Sequence, residues 1–242
     1  MTLQRIIISN AKGGCGKTTI TTNIASHYAS QGLNVRLFDH DSQGSSLAWI
    51  KRRQHDLNPI HGVDASKNPD HRLTRSWQLR VPQETDIAIV DTPAGADISE
   101  LSALFKLNDS VLIPVLPSPI DIHATAHFIK ELLVTGKARN KMVRIAVIAN
   151  RVRKNTIMYH SLKRFLFSLK IPFISSLRDT QLYMRAIELG IGVQEIKSPR
   201  SKIDKEQWAP IIRWLEAPIK NQPAAVTHLF SNTDIEKNSH PY

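Results

Sequence analysis

The chain has 242 residues, 41% of them hydrophobic and 6% aromatic, and 32 Lys and Arg against 21 Asp and Glu give a formal charge of +11. A chain of that length buries a core that needs neither disulfides nor a structural metal, and its one cysteine, Cys15, excludes an intrachain disulfide framework or a Cys-rich metal site and fits a reducing cytosol. No apolar stretch approaches the roughly 18 residues of a membrane span, and an apolar run follows Met1 with no basic leader or cleavage site, which predicts no secretion signal.

Short β-branched runs alternate with amphipathic stretches, the pattern of an α/β fold: a single domain with a mostly parallel, twisted sheet and helices on both faces. The first strand is predicted at 5–9, and a helix at 17–30 follows, with Ile20, Ile24, Ala25 and Tyr28 on one face and Gly32 as its stop. Strands are then expected at 34–38, 86–90, 110–115 and 143–149, with a weaker one near 171–175. Helices are expected near 45–54, 98–106, 121–135, 157–169, 180–189 and 204–216. The interval 55–82 carries Pro59, Gly62 and Pro69 and predicts a loop with a short strand and helix. The folded domain is expected to span 1–217, and 218–242, polar and rich in Pro, Asn and Ser, to be a disordered tail.

The strongest chemical signal follows the first strand: Lys12, Gly13, Gly14, Cys15, Gly16, Lys17, Thr18 and Thr19 lead straight into a helix. Glycines let consecutive N–H groups turn onto phosphate oxygens, a helix N-terminus adds its positive pole, Lys17 reaches the β and γ phosphates, and Thr18 ligates Mg²⁺. The strict G-x-x-x-x-G-K-[ST] pattern fails because Ala11 replaces its first glycine; the run matches instead a deviant Walker A form with an extra lysine, Lys12. Cys15 is read as a small residue that permits close backbone approach, not as a redox thiol.

Two carboxylate motifs complete a nucleotide site. The second strand ends in Asp39 and Asp41, followed by Gln43 and Gly44, and the third ends in Asp91, Thr92 and Pro93, with Gly95 beyond. Carboxylates beyond the carboxyl ends of strands lie where ligands bind in open α/β sheets, and Asp91 reads as a Walker B residue for Mg²⁺. An Asp at a strand end also serves as a helix cap or turn former, the plain alternative for each taken alone.

The positive charge is concentrated. Between Glu131 and Asp179 no acidic residue occurs, while Lys137, Arg139, Lys141, Arg144, Arg151, Arg153, Lys154, Lys163, Arg164, Lys170 and Arg178 do. Such a run predicts an anionic partner, against the plain reading of a solvated basic face.

These motifs, in this order, resemble the ParA/MinD family of deviant Walker ATPases, the ParA branch in particular, over the chain to about residue 217. The resemblance implies ATP and Mg²⁺ as cofactors and a homodimer closed on ATP, with Lys12 reaching the partner's phosphates. It implies further that Asp41 orients the attacking water, that Asp39 lies near Mg²⁺ in a first switch, and that 91–95 form a second. Asn150 resembles the family's adenine-contacting asparagine; its plain alternative is a turn cap. Hydrolysis is expected to be slow until a cargo-linked activator protein stimulates it and releases the dimer. The implied track is non-specific double-stranded DNA, in a cytoplasmic, nucleoid-associated protein that positions a plasmid, chromosome or protein assembly. Arg151, Arg153, Lys154, Lys163, Arg164 and Lys170 are the main DNA candidates, Arg178 and Arg185 secondary ones. Alternatives are a MinD-like membrane-cycling ATPase, which needs an amphipathic anchor, and a P-loop small-molecule kinase or ligase.

Overall fold

The computed structural model describes residues 3–66, 80–134, 142–169 and 171–218. Within it Ile6, Ile7 and Ile8 form the heart of strand β1 (Gln4–Ile8), and none of the three is exposed. A strand apolar on successive residues has to be covered on both faces, the condition of a parallel sheet between two helical layers. Six more strands join it: β2 (Val35–Asp39), β3 (Ile60–Asp64), β4 (Ile87–Asp91), β5 (Ser110–Val115), β6 (Arg144–Val152) and β7 (Phe173–Arg178). Their order is β3-β2-β4-β1-β5-β6-β7, with every described pairing parallel, as expected from the sequence.

Seven described α-helices flank the sheet: α1 (Lys17–Ser30), α2 (Ser45–Lys51), α3 (Ile98–Leu104), α4 (Pro119–Val134), α5 (Ile157–Ser168), α6 (Gln181–Leu189) and α7 (Lys202–Glu216). Side chains alternate across the strands. Ile6, Ile8, Leu37, Ile89 and Ile148 therefore pack with α1, α2, α6 and α7, while Ile7, Phe38, Val90, Ile113 and Val147 pack with α3, α4 and α5. Strand β2 follows β1 in sequence but lies beyond β4, whereas β5 lies on the other side of β1. That reversal opens a crevice at the carboxyl ends of β1 and β4, where a ligand fits.

The differences from the predicted elements have local causes. Strand β7 begins at Phe173, later than expected, because Pro172 has no N–H for a ladder; its carbonyl accepts from Val147 N at 2.8 Å. The short strand expected in the interval 55–82 is β3, and residues 67–79 of that interval lie outside the described residues. The predicted tail also lies outside them, apart from Pro218. Among the described residues no helix is long and apolar enough to cross a membrane.

Candidate nucleotide site

The loop from β1 to α1 crosses the crevice. Gly14 and Gly16 have φ of 72° and 98°, left-handed values that side chains resist, and a Cβ on Gly16 would lie 2.0 Å from Asn150 Nδ2. Gly16 also stands at the N-terminus of α1 with no side-chain cap, so the first amides of the helix are free to face an anion. Behind the loop, buried Asn10 donates from Nδ2 to Pro114 O at 2.7 Å and to Thr125 Oγ1 at 3.0 Å. Lys17 is buried and folded onto the loop: Nζ donates to Lys12 O at 3.1 Å and to Asn10 O at 3.3 Å. Lys12 is half-buried, and among the described residues nothing pairs with its ammonium. Cys15 is buried, its Sγ lies 3.2 Å from Lys12 O, and burial pushes its thiol pKa up, which leaves it an inert thiol.

Asp39 and Asp91 sit side by side, their Cα atoms paired in the register of β2 and β4, and both are buried. Asp39 caps helix α2: Oδ2 accepts from Ser46 N at 3.2 Å and Leu47 N at 3.3 Å, and Oδ1 from Asp41 N at 3.0 Å. Asp41 is half-buried at the rim and accepts from Gln43 N at 3.0 Å.

Sequence reasoning missed Ser46. Its Oγ lies 2.8 Å from Asp39 Oδ2 and 2.8 Å from Asp91 Oδ2. A hydroxyl has one hydrogen and donates to one carboxylate at a time, so the second contact is a hydrogen bond only when a carboxyl is protonated. Asp91 is the group suited to hold that proton: burial first, and the Asp39 charge in addition, push its pKa to about 6 despite the nearby hydroxyls of Ser46 and Thr18. Asp91 Oδ1 and Thr21 Oγ1 are buried without a partner. Orphaned oxygens beside Thr18 fit a small, hard divalent cation such as Mg²⁺, which takes few protein ligands and completes its shell with water and phosphate. A serine two residues past Gly44 at a helix start was the only local signal.

The segment that follows β4 is tied to the loop. Gly95 N donates to Ala11 O at 2.9 Å, and Thr92 Oγ1 to Ile8 O at 3.0 Å. Asn150 is not placed after β6 but within it, beside a bulge where Arg151 has φ of 50°. Its Nδ2 donates to Cys15 O at 2.8 Å and its Oδ1 accepts from Arg151 N at 2.9 Å, so in this state it braces the phosphate loop from behind.

The basic run does not form one patch. Arg151, Arg153 and Lys154 are exposed at the carboxyl end of β6, Arg153 in a solvent-exposed ion pair with Asp179 at 2.8 Å. Arg164 is exposed on α5, and Lys163 lies over the Tyr159 and Phe167 rings at 5.8 and 6.0 Å. Exposed Arg185 belongs to α6, in the opposite layer. Arg178 is held by the fully buried Asp204 through two bonds of 2.8 and 2.7 Å, which raise its pKa. Arg144 is buried, with Nη1 and Nη2 on the carbonyls that end α7. Lys137, Arg139, Lys141 and Lys170 lie outside the described residues.

The family model of the CobQ/CobB/MinD/ParA nucleotide-binding domain matches residues 6–193, a span holding the loop, the carboxylates and Asn150. The chain belongs to that family. The maintenance of carboxysome distribution protein A of Halothiobacillus neapolitanus is 30% identical over 192 residues, 79% of this chain and 87% of that protein. A variant of Cyanothece McdA in complex with ATP shares the fold at TM-score 0.61 and 18% identity, over 86% of this chain and 96% of that one. The cell division protein MinD of Aquifex aeolicus does so at TM-score 0.62 and 21% identity, over 90% of this chain and 99% of its own. The ParA/MinD resemblance and the expected fold class are both borne out.

Proposed function

We propose that this family member is a ParA-type ATPase that dimerises on ATP, binds DNA without sequence preference, and is released by partner-stimulated hydrolysis, so positioning a cargo on the nucleoid. The observation that carries the reading is the contrast between the two loop lysines. Lys17 is held by its own loop, whereas Lys12, half-buried beside the phosphate cradle, has no partner for its ammonium among the described residues. A second lysine without a partner at a phosphate site suits contact with the phosphates of a facing copy. Thr18 and Asp91, with Asp39 close by, would hold Mg²⁺, whose charge would offset that of the phosphates, while Lys17 would steady the β and γ phosphates and Asp41 would orient water. The similarity to a carboxysome distribution protein supports cargo positioning. The membrane-cycling alternative loses support at α7, whose Trp208, Ile211, Ile212 and Leu215 are buried in the core.

The test is binding to a random-sequence duplex with ATP, with ADP and without nucleotide, over a salt series. Binding that needs ATP, weakens with salt and is lost in Lys12→Ala is expected. Failure to bind in every nucleotide state at low salt overturns the DNA step.

A further inference from the structure

Helix α4 buries Asp121, Thr125, Phe128, Ile129 and Leu132 and exposes His123, His127, Lys130 and Glu131 on its opposite face. Four residues apart, the two histidines stand one above the other. Cβ atoms about 5–6 Å apart let two imidazoles close on one ion at metal–nitrogen distances of about 2.0–2.1 Å, and two histidines at this spacing on one helix face bind zinc in other folds. No other described helix carries two histidines.

The ring nitrogens are accessible and prepared. His123 is exposed, and neither of its ring nitrogens has a partner among the described residues. The His127 and Glu131 side chains are 65% and 50% exposed, and His127 Nδ1 lies 3.3 Å from Glu131 Oε2. A carboxylate beside one ring nitrogen keeps the proton there and leaves the Nε2 lone pair for a metal, the arrangement that stands behind most metal-bound histidines.

Charge and donor type narrow the ion. On α4 itself Glu131 offsets Lys130, and the only other charged residue, Asp121, is buried on the inner face. The flanking helices α3 and α5 carry Glu100 on one side and Lys163 and Arg164 on the other. Imidazole nitrogens suit Ni²⁺, Cu²⁺ and Zn²⁺, whereas Mg²⁺ and Ca²⁺ take oxygen. Among the described residues no group of three or more His, Cys, Asp and Glu is placed to hold a metal, so water completes the coordination and the ion exchanges readily.

We propose that His123 and His127 chelate one divalent ion of the nickel, copper and zinc class on the outer face of α4, with Glu131 as the residue that positions His127. Thr125, between them in sequence, faces inward, where its Oγ1 accepts from Asn10 behind the phosphate loop at 3.0 Å. The thickness of the helix therefore separates this ion from the nucleotide, and the two bind together.

The test is a calorimetric titration of NiCl₂ into the untagged full chain in millimolar Mg²⁺, with and without ATP. One saturable event with a Kd of about 10 µM is expected, the same in both conditions. His123→Ala and His127→Ala should each weaken it about tenfold or more, because a chelate becomes a single imidazole, and Glu131→Gln about tenfold. His160→Ala, on α5, should leave it unchanged. All four positions are exposed, so melting in EDTA should not shift. With Cu²⁺ as the probe, electron paramagnetic resonance should show two coordinated imidazole nitrogens in the parent chain and one in either α4 histidine variant. The proposal is overturned by no saturable Ni²⁺ binding, by an unchanged Kd in His123→Ala or His127→Ala, by an equal loss in His160→Ala, or by displacement with Mg²⁺ or ATP; an unchanged Kd in Glu131→Gln overturns the positioning role.

Discussion

Burial of Asp91, with the Asp39 charge beside it, makes the stability of the metal-free protein depend on pH. Asp91 titrates near 3.8 when unfolded and about 6 when folded, so across that window the folded chain keeps a proton the unfolded chain has lost. The sign follows: stability falls as pH rises from about 4 to about 6 and the deficit then stays level, at roughly 3 kcal/mol for two pKa units. Asp91→Asn should therefore raise Tm at pH 7.5 in the absence of Mg²⁺ and flatten the Tm profile between pH 4 and 6; an unchanged profile would assign the proton elsewhere. Ser46→Ala removes the bridge and leaves two buried carboxylates facing each other, for an expected loss of about 1–2 kcal/mol at pH 7.5 in urea unfolding. The loop and both aspartates were legible because each lies in a local motif at a strand end. Ser46 was not, because its partners stand 7 and 45 residues away and meet it only when β2 and β4 pair.

At the scale of elements, legibility followed periodicity. The β1 run, apolar at three successive positions, and the one-sided face of α1 gave elements within a residue of those observed. A short strand was expected in the interval 55–82, but its place was hidden because β3 pairs, among the described residues, with β2 alone and exposes His61 and Gly62, so it lacks the run of a central strand. The bulge in β6 was equally silent, since nothing in Asn150-Arg151-Val152 announces a positive φ at an arginine. Helix α7 shows how far a stripe can be trusted. Its tryptophan, Trp208, is buried against the sheet and donates from Nε1 to Tyr183 Oη at 3.1 Å, binding α7 to α6. Trp208→Ala should cost about 3–5 kcal/mol in equilibrium unfolding, the toll of a core cavity. A cost below 1 kcal/mol, with vesicle binding lost instead, would mean that the stripe serves a membrane.

For the whole molecule the question is which surface carries the charge. The basic run is contiguous in sequence, but Arg144 is buried at the amino end of β6, Arg178 is paired with Asp204, and the further candidate Arg185 belongs to α6, in the layer opposite α5, so the candidates separate in space. Arg178 is removed from the set by its ion pair: Arg178→Ala strands the buried Asp204 carboxylate and should cost about 3 kcal/mol of stability whatever it does to DNA. The remaining candidates form two groups, Arg151, Arg153 and Lys154 with Lys163 and Arg164 on one side, Arg185 on the other. Each neutralised phosphate contributes about 0.9 to the slope of log K against log salt. If the loop and α5 meet the duplex, alanine at 151, 153 and 154 lowers the slope by up to about 3 per protomer, and alanine at 163 and 164 by up to about 2. Arg185→Ala then leaves the slope unchanged, because one straight duplex cannot lie along both layers of the same sheet. An Arg185→Ala effect as large as that of the α5 pair would move the track to the α6 and α7 layer and leave the charge on α5 a solvated face.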